Sequence, residues 1–267
     1  MKASGVISIT TDFGHKGPFA GVMKGVILSR FPAARVVDLG HDIPAHWPPE
    51  AGFWLSRSYR YFPDGTVHLA IVDPGVGTDR NILIAERDGH WFLAPDNGLL
   101  EPILDLESGG ETFILDMDRL GDLDLAAPSH TFHGRDVFAP VAAEIASGRL
   151  LPRQIGSATD EWVPGWLEAP EIQPDGRVSG VIITIDTFGN LISNIDAGLI
   201  EDMHKPVAQL AGHRFEMRET YGRVAPGDYL ALINSFGVVE VARAEQSAAL
   251  GLGTERGAPI VVIDDPE

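Results

Sequence analysis

Three side chains of this sequence could together handle a proton. Asp73 closes a nearly continuous apolar run, Thr66–Val72, and opens the loop Asp73-Pro74-Gly75-Val76-Gly77-Thr78-Asp79-Arg80. A loop of that length with two glycines can fold back, so Arg80 can pair with Asp73. His133 lies in Thr131-Phe132-His133-Gly134-Arg135-Asp136. An imidazole titrates near neutrality and neighbouring charges set its state, so a His beside an Asp–Arg pair suits proton handling. Asp12 follows another β-rich run, in Thr11-Asp12-Phe13-Gly14, where a carboxylate can accept both hydroxyls of a ribose. Ala94-Pro95-Asp96-Asn97-Gly98 is a third polar turn after a strand. Later in the chain, Asp186, Phe188 and Asn190 offer an acceptor, an aromatic face and an amide within five residues. Each group has a structural reading too. An Asp–Arg pair can brace a loop, Asp12 can cap a turn or a helix, and Phe188-Gly189-Asn190 is good hairpin-turn chemistry. Residue types and spacing leave both readings open.

Other chemistries lack their residues. His41, Asp42 and His46 form an H-D-x3-H run and His130 and His133 lie three apart, but neither matches a zinc spacing, and Pro44 interrupts the first set. No metal is expected. A phosphate-cradling lysine loop, a G-x-G-x-x-G turn and a G-x-S-x-G elbow are all missing.

The candidate residues need a scaffold, and the chain alternates strand and helix signals as far as about Leu151. Val6–Thr10, Arg35–Leu39, Thr66–Val72, Ile82–Glu86 and Trp91–Ala94 read as strands; 19–31, 49–61 and 137–147 read as helices. Strand–helix–strand units of this length imply a layered α/β domain with a mostly parallel sheet, and ligands of such sheets sit outside the carboxyl ends of the strands. Pro152, Pro164, Pro170 and Pro174 then punctuate a stretch without periodicity, expected as a linker. Beyond it, Gly180–Asp186, Leu191–Ile195, Val207–Leu210, Arg214–Met217, Tyr229–Asn234, Val238–Arg243 and Pro259–Ile263 are short β-rich segments separated by turns. They predict a smaller antiparallel β-barrel-like domain. The expected limits are 1–160 for the first domain and 175–267 for the second.

Composition narrows the partners. The formal net charge of −18 would repel a nucleic acid, whose binding rests on Lys and Arg neutralising phosphates. There is no cysteine, hence no disulfide, thiolate metal site or cysteine nucleophile. No apolar stretch approaches a membrane span, and the first residues lack the apolar core of a signal peptide, so a soluble cytoplasmic protein is expected.

Taken in order, I-T-T-D-F-G, V-D-P-G-V-G-T-x-R, A-P-D-N-G-L-L, T-F-H-G-R-D-V-F-A-P, I-D-x-F-G-N-L-I-S-N-I and I-N-S-F-G resemble the adenosine-forming S-adenosyl-L-methionine hydrolases. These are the S-adenosyl-L-methionine hydroxide adenosyltransferases, relatives of bacterial fluorinase and chlorinase. The resemblance runs from about residue 7 to the end of the chain. It implies an α/β domain joined to a β-barrel-like domain, and a homotrimer with active sites between subunits. It also implies water attack on ribose C5′ of S-adenosyl-L-methionine, with no cofactor. The water-activating Asp, Arg and His fall on Asp73, Arg80 and His133. Asp12 matches the ribose-binding carboxylate and Phe132 the adenine-side aromatic. Asp186 and Asn190 match contacts to the methionine head and adenine, with Phe188 in the same motif and Asn97 in the A-P-D-N-G segment. Ser235 matches a residue near the methionine carboxylate. In the halogenases the Asp position is typically aromatic and the His is replaced, so Asp73 and His133 disfavour a halide-using adenosyltransferase. A non-catalytic binding protein of the same fold is the other alternative. Gly17 and Phe236 depart from the relatives, which often have an Asp and, in the halogenases, an Arg there.

Overall fold

The computed structural model describes residues 2–265 except 124 and 126, so the expected domain limits at 1 and 267 lie outside the described residues. The chain forms two compact units, Met1–Trp166 and Leu167–Glu267.

The N-terminal unit is built on a seven-stranded sheet with the order β2-β1-β3-β5-β4-β6-β7. Its strands are β1 (Val6–Thr11), β2 (Arg35–Gly40), β3 (Val67–Ile71), β4 (Ile82–Arg87), β5 (His90–Pro95), β6 (Thr112–Leu115) and β7 (Gly156–Ala158). The pairs β1–β2, β1–β3 and β3–β5 are parallel. β4 and β7 run against the rest, so the sheet is mostly parallel with an antiparallel margin. The reversal has a local cause. Asp88 and Gly89 join β4 to β5 at φ 48° and 78°, the positive pair that a two-residue hairpin turn requires. β1 and β3 are buried along their whole length, as strands covered on both faces must be.

Helices α1 (Phe19–Arg30), α2 (Pro48–Ser58), α3 (Glu101–Leu104) and α4 (Ala139–Ala146) cover the sheet. α1 buries Ala20, Met23 and Ile27, one stripe at helical spacing, in the same core as Val137, Val141 and Ile145. Two expectations need correction. The stretch after Leu151 is no free linker: β7 pairs with β6, and Val163 N and Gly165 N donate to Asp96 and Glu101. The helix expected over 137–147 begins earlier with a π-helical turn, Gly134–Phe138, in which Ala139 N–H reaches back to Gly134 O.

The C-terminal unit comprises β8 (Glu171–Ile172), β9 (Val178–Ile185), β10 (Leu191–Asp196), β11 (Pro206–Leu210), β12 (His213–Glu216), β13 (Tyr229–Ile233), β14 (Val238–Arg243), α5 (Ala248–Leu252) and β15 (Pro259–Asp264). Its strands pair antiparallel in the order β12-β11-β15-β9-β10-β14-β13. A bridge between Met217, just past β12, and Ala231 of β13 brings the two ends of the sheet together into a nearly closed barrel. Among the described residues no helix is long and apolar enough to cross a membrane.

One core histidine has a measurable consequence. His68 in β3 is fully buried; its Nδ1 lies 2.7 Å from Ser8 Oγ, its Nε2 3.2 Å from His90 Nδ1, and its ring stacks on Phe92. Burial, reinforced by His90, pushes its pKa down to about 3. The unfolded chain binds this proton near about pH 6.5 and the folded chain does not. Stability is therefore complete above about 6.5 and falls as pH drops towards 3, by an amount on the order of a few kcal/mol. Denaturant midpoints across pH 7 to 4 should fall less steeply in His68→Phe than in the parent protein. A slope unchanged by the substitution would remove His68 as the cause.

Candidate active site

The carboxyl ends of β1 and β3 open onto a cavity of about 250 Å³, lined by Asp12, Phe13, Asp73, Phe132 and His133 among others. Asp73 stands two residues past β3. The turn after β5 steadies that strand end, because Asn97 Nδ2 donates to Val72 O at 2.8 Å. The loop from Asp73 to Arg80 closes through Val76 N to Asp73 O and Thr78 N to Gly75 O. Gly77 has φ +77°, and a Cβ there would stand 2.1 Å from His130 O. Glycine alone lets this loop lie against the segment that carries His133.

Arg80 thus returns to Asp73. Its Nε donates to Oδ1 at 2.9 Å and Oδ2 at 3.0 Å, and its Nη2 donates to Oδ2 in a close contact. The same Nη2 lies 3.2 Å from His133 Nδ1. The Asp73 and Arg80 side chains are 5% and 10% exposed and His133 is 7% exposed, so the trio is screened little by water. A guanidinium has only donors, so His133 Nδ1 is the acceptor and its ring proton sits on Nε2. Burial first, then the Arg80 charge, lowers the pKa of His133 below its ordinary value; Asp73 and Asp136 oppose this in part. The ring is neutral at pH 7.

The π-helical turn presents His133. Arg135 N and Asp136 N both donate to Phe132 O at 3.1 Å, and Asp136 accepts Ser129 N and binds Arg135, which pins the approach to the turn. Such wide turns recur at functional sites because they re-aim side chains. Phe132 packs edge-on against Phe13 and Phe19, with ring centroids 6.0 and 5.4 Å away, to form an aromatic wall. Asp12 is half-buried and its carboxylate accepts His46 N at 3.3 Å. Burial raises its pKa, against the lowering contributed by the His46 hydrogen bond.

In the C-terminal unit, Asp186 Oδ1 accepts Phe188 N and Asn190 N, both at 2.9 Å, and Oδ2 accepts Asn190 Nδ2 at 2.9 Å. The three residues make one tight turn at the rim of a second cavity of about 540 Å³, which Tyr221 and Arg243 also line. Phe188 is 77% exposed. Ser235 lies exposed in the turn after β13, away from that lining. Asn97 likewise lies outside the lining of the first cavity, and its side chain serves backbone groups.

Several residues escaped the reading of the sequence. Phe13 and Phe19 line the first cavity, and their signal was two aromatics beside Asp12. Glu240 is buried in β14, accepts Tyr221 Oη at 2.6 Å and Asn234 Nδ2 at 3.1 Å, and has its pKa raised by burial. Its signal was a carboxylate inside the apolar run Val238–Ala242. The His41–Asp42–His46 run separates: His41 is buried against Thr11 and Asp38, and among the described residues no group of three or more His, Cys, Asp or Glu could hold a metal.

The chain is similar to known proteins over nearly its whole length. A curated (R)-S-adenosyl-L-methionine hydrolase of Thermus thermophilus is 36% identical over 258 residues, covering 94% of this chain and 96% of its own. One of Salinispora tropica is also 36% identical over 258 residues, covering 94% and 95%. The crystal structure of an uncharacterized conserved protein from Thermotoga maritima superposes with a TM-score of 0.86 at 31% identity, over 96% of this chain and 99% of that one. Residues 7–156 match the SAM hydroxide adenosyltransferase N-terminal domain and residues 180–261 the C-terminal domain of the same family. The chain belongs to the SAM hydroxide adenosyltransferase family.

Proposed function

We propose that this protein hydrolyses S-adenosyl-L-methionine to adenosine and L-methionine, through water attack on ribose C5′. The observation that carries the reading is the Asp73–Arg80–His133 cluster, buried at the strand ends beside an aromatic wall. The membership of the family and the names of its curated relatives point the same way.

In this mechanism the water oxygen forms a bond to C5′ while the C5′–S bond breaks. The sulfur takes both electrons of that bond and leaves as the neutral thioether of methionine, so no general acid is needed. The water proton passes to Asp73. His133 Nε2–H donates to the water oxygen and aims it, while Arg80 holds the imidazole in that tautomer through Nδ1. The aromatic wall keeps bulk water away from the reacting centre. Asp12 binds the ribose hydroxyls and Phe132 flanks adenine. Asp186, Phe188 and Asn190 contact adenine and the methionine head, with Ser235 near its carboxylate. Asn97 acts by holding the end of β3. No metal or organic cofactor enters any step.

The active assembly in this reading is a homotrimer whose neighbouring subunits complete each site. Supporting this, the cavity beside Asp73 holds about 250 Å³, below the roughly 300–1,000 Å³ of ordinary ligand pockets. A solution mass equal to the 28.7 kDa monomer would overturn the trimer.

Incubation of the purified protein with S-adenosyl-L-methionine, with and without chloride or fluoride, tests the activity by chromatography of the products. Adenosine and methionine in equal amounts are expected. A 5′-halo-adenosine would identify a halide-using adenosyltransferase, and binding without turnover would leave a non-catalytic binder.

A further inference from the structure

We infer that His41 is a positioning residue for the Asp12 carboxylate, holding the turn on which Asp12 sits from both of its ends. This rests on the reading of Asp12 as the ribose-binding group. β1 and β2 are adjacent parallel strands; Thr11 ends the first and His41 directly follows the second. The His41 ring is 1% exposed. Its Nδ1 lies 2.8 Å from Thr11 Oγ1, and its Nε2 lies 2.9 Å from Asp38 Oδ1, a carboxylate that also binds Lys24. The main-chain oxygen of His41 accepts Gly14 N at 2.8 Å.

The donors run in one direction. An ionised Asp38 can only accept, so in the neutral ring Nε2 carries the proton and Nδ1 accepts. Thr11 must then donate its hydroxyl proton to Nδ1, which leaves its oxygen lone pairs to accept Phe13 N at 3.2 Å. Side chain and main chain of His41 thereby clamp residues 11 and 14, and Asp12 stands between them. Among the described residues, the one hydrogen bond that the Asp12 carboxylate receives from another residue is the long one from His46 N, at 3.3 Å. Its aim is therefore set by the turn more than by its own contacts. A valine at position 11, or a side chain at 41 lacking an acceptor at the Nδ1 position, frees the turn while leaving the water-activating trio untouched.

Steady-state kinetics of Thr11→Val, His41→Gln and His41→Asn test this, with adenosine affinity measured by calorimetry on the same proteins. Asparagine places an acceptor near the Nδ1 position; glutamine reproduces mainly the Nε2 donor. Thr11→Val and His41→Gln should raise KM for S-adenosyl-L-methionine and weaken adenosine binding about three- to tenfold, the worth of one hydrogen bond, with kcat changed less than about twofold. His41→Asn should stay within about twofold of the parent in both. On an Asp12→Ala background the Thr11→Val effect should vanish, since the group being aimed is gone. A fall in kcat without a change in KM, an effect of Thr11→Val that persists fully without Asp12, or equal losses in His41→Asn and His41→Gln would overturn the inference. Thr11→Val is near-isosteric and decides the matter if a His41 variant fails to fold. If the parent binds adenosine but releases none from S-adenosyl-L-methionine, the hydrolase reading fails while the affinities still judge His41. If the parent does not bind adenosine, the inference is overturned.

Discussion

Asp73→Asn is expected to lower kcat by about 10²- to 10⁴-fold, the usual loss when a positioned proton acceptor is removed. Asparagine keeps the size and planarity of the side chain but cannot take the water proton. kcat and kcat/KM should fall together, because the lost interaction grows only as the transition state forms. Stability should fall as well. Arg80 is 10% exposed, and the substitution leaves its guanidinium buried without a counter-charge, at a cost of about 3–5 kcal/mol for a pair broken from one side. The two effects are separable. Adding Arg80→Met to Asp73→Asn should recover much of the thermal midpoint and none of the turnover. If Asp73→Asn keeps more than about a tenth of the parent kcat, Asp73 is not the proton acceptor.

The second large effect is expected from His133, and it has a pH signature. The active ring is neutral, with Nδ1 accepting from Arg80. A proton added at Nδ1 would face the guanidinium, donor against donor. The pKa is lowered by burial and then by Arg80, so kcat should stay level from neutrality to below about pH 6.5 and fall only under that value. The stability sign is the same. The folded state resists a proton that the unfolded chain accepts, so His133 costs stability as pH falls below about 6.5, until the lowered pKa is passed. His133→Ala should lose about ten- to a hundredfold in kcat, the value of a strong hydrogen bond to the nucleophile. His133→Gln, which retains a donor near the Nε2 position, should lose less and show no acid limb of this origin. An acid limb unchanged in His133→Gln would assign it to another group, with Asp12 the first to examine because burial raises its pKa.

The loops were easier to read than the pairings that organise them. The run Thr66–Val72 ends at Asp73 in sequence as in space, and a loop with two glycines could bring Arg80 back, as it does. Both are local consequences of chain length and residue type. The antiparallel margin of the N-terminal sheet was also written locally, in Asp88-Gly89, yet strands β4 and β5 were expected without their hairpin. The stretch after Leu151 shows the opposite case. Its prolines signalled irregular backbone, and irregular backbone can still be held down, as Gly156–Ala158 is by β6 and Trp166 is by Asn97 O.

What the sequence determined alone is the set of chemical groups and the strand ends that bear them. Asp12, Asp73 and Asn97 each follow a short β-rich apolar run, and those runs form β1, β3 and β5. The family followed from motifs in order, since each motif combines turn glycines with a polar side chain at a set distance. The tertiary structure decided which groups meet. Arg80 reaches His133 across 53 positions, Thr11 meets His41 across 30, and Glu240 meets Tyr221 across 19. It also decided the neutral tautomer of His133, which depends on the guanidinium at Nδ1 and on burial at the cavity wall. The physical reason is that strand order and register arise from long-range pairing and shared core packing. Spacing along the chain records neither.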